Sequence, residues 1–84
     1  AGDELVTRLE QQFDQELLEE AMVRVRLRVT PPSWQAFQLT ALDGRSGAEA
    51  AGQLNMPVTA VFKARSRVQK MIQDEVRKLE GGET

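Results

Sequence analysis

Apolar residues return at every fourth position through the first third of the chain, at Leu5, Leu9, Phe13, Leu17, Ala21 and Val25, with Val6, Leu18 and Met22 widening the stripe. A return of this length marks one face of an α-helix, because each residue turns the chain by about 100°. The pattern predicts an amphipathic helix from Asp3 to about Val29. Its last part, VRVRLRV at residues 23–29, alternates strictly and would also suit a half-buried strand. No second run of that kind exists in the 84 residues, and a lone strand cannot satisfy its backbone donors and acceptors. The helix is therefore carried through it. The expected fold class is all-α: a small helical domain with a helix-turn-helix, preceded by a long amphipathic helix.

Thr30-Pro31-Pro32-Ser33 stops that first helix and divides the chain. Residues 1–29 form an N-terminal linker-like helix, residues 30–80 a domain, and residues 81–84 a flexible tail after Gly81-Gly82. A second helix starts near the prolines with Trp34, Phe37, Leu39, Ala41 and Leu42 as its apolar members, and Asp43-Gly44 ends it. Trp34 and Phe37 could suggest a binding platform, but three residues apart on an amphipathic helix they are expected in the core. There is no internal repeat and no low-complexity segment. An opening Ala-Gly without Met reads as a trimmed end.

Ser46 followed by Glu49 is a capping box, so a third helix is expected to begin at Ser46. Ala50, Ala51 and Leu54 fall on one face of it. Their small size lets another helix cross closely, with Ala51 the expected crossing point. Asn55 stands where the chain must turn, and Asn tolerates the left-handed conformation better than any residue but Gly. Pro57 suits the first turn of the next helix. There Val58, Val61, Ala64 and Val68 form the buried side, and Ile72, Val76 and Leu79 carry it to about Glu80. What faces outward is basic: Lys63, Arg65, Arg67 and Lys70, with no acid among them. Short helix, tight turn, longer basic helix is the layout of a DNA-reading helix-turn-helix.

Composition closes several other routes. The chain has no Cys and no His, which removes disulfides, thiolate nucleophiles, most zinc sites and Ser-His-Asp catalysis. Binding is expected, not enzymatic chemistry, and no cofactor. No apolar run approaches the ~20 residues of a membrane span and no leader is evident, so a soluble, cytoplasmic protein is expected. Net charge is −2, yet residues 1–22 hold seven acids and one base (−6) while residues 23–84 hold ten bases and six acids (+4). Nucleic-acid affinity depends on local neutralisation of phosphates, so the local sum governs. The acidic arm should still weaken non-specific binding. Arg24, Arg26 and Arg28 are expected to be a solvated edge or to pair with Glu16, Glu19 and Glu20 one turn earlier. Glu10, Asp14, Glu16, Glu19 and Glu20 read as a solvated acidic face, because neither a histidine nor a metal-binding loop accompanies them.

Residues 33–72, SWQAFQLTALDGRSGAEAAGQLNMPVTAVFKARSRVQKMI, resemble the C-terminal region, region 4, of bacterial extracytoplasmic-function (ECF) sigma factors of the sigma-70 family, in particular planctomycete-type variants. The resemblance covers about residues 30–80, and the preceding helix resembles the segment that links regions 2 and 4. It implies binding to the promoter minus-35 element, with the second helix of the motif in the major groove and other surfaces on core RNA polymerase, and it allows for an anti-sigma factor as partner. By family position Phe62, Lys63, Ser66 and Arg67 would face bases and nearby phosphates. The family more often has Arg or Lys at the position of Phe62, so either Phe62 touches a thymine methyl or its side chain is not at the DNA. Lys63 and Arg67 are the expected base contacts, and Arg45, Ser46, Thr59 and Arg65 the expected phosphate contacts, with Lys70 on the same face. Two alternatives remain. One is a protein-interaction module that self-associates through residues 5–25; the other is a LuxR-type regulator's DNA-binding domain, which usually has a shorter first helix.

Overall fold

The computed structural model describes residues 15–82, and the N-terminal stretch of the predicted first helix lies outside them. Four α-helices follow in order: α1 (Gln15–Arg28), α2 (Pro31–Phe37), α3 (Gly47–Leu54) and α4 (Val58–Arg77). A π-helical segment, Gln38–Leu42, prolongs α2, and a second, Lys78–Gly82, prolongs α4. No strand occurs among the described residues, and VRVRLRV is helical through Arg28. The fold is all-α, and no described helix is long and apolar enough to cross a membrane.

The helix boundaries follow local chemistry. Pro31 and Pro32 open α2, where absent N–H groups cost little, and Thr30 precedes them in an extended conformation. Gly44, at φ 75, turns the chain out of the π-helical segment, and the Arg45 N–H donates to Leu39 O at 2.8 Å. The expected capping box is present: the Glu49 N–H donates to Ser46 Oγ at 3.0 Å and the Ser46 N–H to Glu49 Oε1 at 3.1 Å. Asn55 is left-handed, with φ 56 and ψ 46, and is the one described non-glycine residue at positive φ. Pro57 falls one place earlier than expected, capping α4 in an extended conformation.

Two clusters make the core. In the larger, Leu18, Ala21 and Val25 of α1 meet Trp34, Phe37 and Ala41 from α2 and its extension, and Val68, Ile72 and Val76 of α4. The Trp34 and Phe37 rings pack tilted, centroids 5.4 Å apart, as core residues. Side chains such as Val25 and Ile72, both 0% exposed, each stabilise the fold by about 1.5–3 kcal/mol. The described part of the N-terminal segment thus shares one core with residues 30–80, and the stripe at Leu17, Leu18, Ala21 and Val25 is covered from within the chain. In the smaller cluster Ala36, Ala50 and Val61 come together, so the fully buried small residue of α3 is Ala50, with the expected Ala51 half-buried beside it. Leu42, expected with the apolar members of the second helix, is 37% exposed.

One buried acid escaped the sequence reading. Glu75 is 6% exposed, and Arg28 Nη1 lies 3.0 Å from its Oε1 while Arg24 Nη1 lies 3.3 Å from its Oε2. Arg24 also reaches Glu20 at 3.1 Å, the contact expected within α1. The Arg24 pKa is raised by its hydrogen bonds to Glu20 first and Glu75 second. The two arginines tie α1 to α4 in addition to the apolar contact.

Candidate nucleic-acid interface

The buried face of α4 decides which of its side chains can meet a partner. Val61, Val68, Ile72, Glu75 and Val76 point into the protein. The opposite side carries Thr59, Lys63, Ser66, Arg67 and Lys70, all exposed. Among the described residues Lys63, Arg67 and Lys70 form no ion pair, whereas Arg24, Arg28 and Arg77 each have a carboxylate within 4 Å. The surface is therefore basic over about two turns, from Lys63 to Lys70, and gives way to Asp74, which lies 3.8 Å from Arg77. No group of residues that could hold a metal ion occurs among the described residues.

Three expected contacts stand differently from the rest. Arg65 is half-buried with its Nε shielded from solvent, because it follows Val61 by four residues and precedes Val68 by three, placing it on the inward side of the helix. That spacing was readable in the sequence. Phe62 is 46% exposed, and its ring lies against Gly47 at the start of α3: a Cβ at Gly47 would come within 2.5 Å of Phe62 Cζ. The ring thus contacts its own protein while nearly half of its surface stays exposed. Ser46 is exposed but its oxygen is engaged in the capping box, and the Glu49 carboxylate occupies the positive end of α3. A phosphate approaching Ser46 would meet that negative charge. Arg45, one residue earlier, is exposed.

Lys63 and Arg67 form one lip of an open groove of about 280 Å³ whose other lining residues are Ser33, Met56, Ala60 and Ala64. The small side chains at 60 and 64 leave the space between α4 and the start of α2. A second groove, about 410 Å³, lies between α2 with its extension and α3, and is lined by Gln35, Gln38, Leu39, Asp43, Gln53 and Leu54. It gathers the amide groups of three glutamines and a single acid, Asp43.

These features define a small all-α domain with an unneutralised basic helix face. Comparison with protein-family models, with curated proteins and with solved structures finds no match for the chain.

Proposed function

We propose that this domain binds duplex DNA through the exposed face of α4 and serves as the minus-35-reading part of an ECF-type sigma factor, directing RNA polymerase to promoters. The observation that carries the proposal is the set Thr59, Lys63, Ser66, Arg67 and Lys70, outward on one helix, whose three cations form no ion pair among the described residues, while Arg24, Arg28 and Arg77 are each paired with a carboxylate. Cations left without partners on a slim helix suit a polyanion with a groove wide enough to admit it. The left-handed turn at Asn55 supports the same reading, since it holds a short helix against the base of the basic one. Core RNA polymerase, and an anti-sigma factor where one exists, are the partners this role requires.

Selection from randomised duplexes with the intact factor and polymerase tests it. Enrichment of one short motif upstream of the start site is expected, and its loss on deleting polymerase would distinguish a sigma factor from a LuxR-type regulator. No enrichment under either condition would sink the proposal.

A protein-interaction role keeps one specific observation. Val23 and Leu27 are 56% and 81% exposed on the outer side of α1, one turn apart. Because Leu18, Ala21 and Val25 are already buried within the chain, self-association through the described part of α1 would have to use this outer pair. Sedimentation of the chain and of Leu27→Glu decides it: a dimer that the substitution dissociates would favour this second reading.

A further inference from the structure

The groove beside Lys63 and Arg67 has polar groups on two different elements. Lys63 and Arg67 stand one turn apart on α4, and Ser33 faces them from the first turn of α2. Thr30 Oγ1 donates to Ser33 Oγ at 3.0 Å, which takes up one of the serine's two acceptor positions and leaves its own O–H to donate. The floor, Met56, Ala60 and Ala64, is apolar and offers no competing acceptor. Two basic side chains and one directed hydroxyl around an apolar floor select an oxyanion. A base edge would find the floor without complementary donors or acceptors, whereas a tetrahedral phosphate needs only what the lips supply.

We propose that Ser33, Lys63 and Arg67 form a seat for one backbone phosphate of bound DNA, so that these two cations set affinity and register while Thr59, Ser66 and Lys70 remain to meet the bases. This rests on the DNA-binding role and changes the expectation for Lys63 and Arg67, which the family position put at bases. It also gives α2 a part in binding: the strand would pass over the start of α2 as α4 enters the groove.

Fluorescence anisotropy with the whole chain tests the seat, using the selected duplex and a scrambled duplex of equal composition from about 50 to about 200 mM salt. Lys63→Ala and Arg67→Ala are expected to weaken both duplexes by the same factor, about fivefold to tenfold, and each to flatten the logarithmic salt dependence by about one unit. Ser33→Ala should weaken both about threefold with the salt slope unchanged. Replacing single linkages by neutral methylphosphonates should reveal one position that weakens the unmodified chain and costs Arg67→Ala nothing further. Losses confined to the selected duplex would return Lys63 and Arg67 to base reading and overturn the seat, as would a Ser33→Ala variant indistinguishable from the parent. If the unmodified chain binds neither duplex at the lowest salt, the DNA-binding role falls and the seat with it.

Discussion

Asn55 offers the cleanest test of how the turn before the basic helix is held. Its φ of 56 and ψ of 46 lie where Cβ crowds the next carbonyl, which costs an ordinary residue about 1–2 kcal/mol and asparagine less. The side chain is exposed, so substitution removes no packing. The bonds that close the turn, from the Asn55 and Met56 N–H groups to Ala51 O, belong to the main chain and survive any side-chain change except proline. Asn55→Ala should therefore lose about 1 kcal/mol, Asn55→Val about 2, and Asn55→Gly should gain a few tenths, the lost strain being partly offset by unfolded-chain entropy. A domain of this size holds about 4–12 kcal/mol in all. One kilocalorie moves its melting temperature by about 4–8 °C. Thermal and urea unfolding followed by circular dichroism would read the series. An Asn55→Ala variant as stable as the parent, with no gain from glycine, would show that the chain does not turn through a left-handed residue there.

Two further substitutions probe contacts that hold the helices in place. Arg28→Ala leaves the buried Glu75 carboxylate with Arg24 alone and should cost about 1 kcal/mol, the arginine's own exposure limiting the loss. Glu75→Leu leaves only solvated arginines and should cost close to nothing; urea midpoints that reverse this order would show that Glu75 is not buried as described. Gly47→Ala forces the Phe62 ring aside and should destabilise by about 1 kcal/mol, a penalty that Phe62→Ala in the same chain should largely remove. Strict additivity of the pair would place the ring elsewhere.

Much of this was legible in the residues. The capping box at Ser46 and Glu49, the left-handed Asn55 and the core positions of Trp34 and Phe37 all depend on neighbours within four residues, and short-range geometry is what a sequence states directly. Proline punctuation and the fourfold apolar return likewise settled the all-α class. Arg65 was legible too, since its spacing from Val61 and Val68 puts it inward; grouping it by charge with Lys63 and Arg67 hid this.

Other features had no local signal. Glu75 sits among Gln73, Asp74 and Arg77 and looks like part of a solvated charged run until α1 brings Arg24 and Arg28 across to it. Phe62 became a partner of Gly47 only because α3 and α4 cross near their starts. Within the arginine-rich end of α1, helical and strand periods both fitted, and burial of Val25 beside exposure of Val23 and Leu27 followed from where α4 lies.

By itself, then, the amino-acid order determined where helices begin, where they turn, and that one of them carries Lys63, Arg65, Arg67 and Lys70 with no acid among them, because capping, backbone strain and periodicity act over a few residues. Which cations stay unpaired, which acid is buried, and that Ser33 faces Lys63 and Arg67 were decided only when distant segments packed together, since pairing across 30 or more residues depends on helix placement that no local pattern encodes.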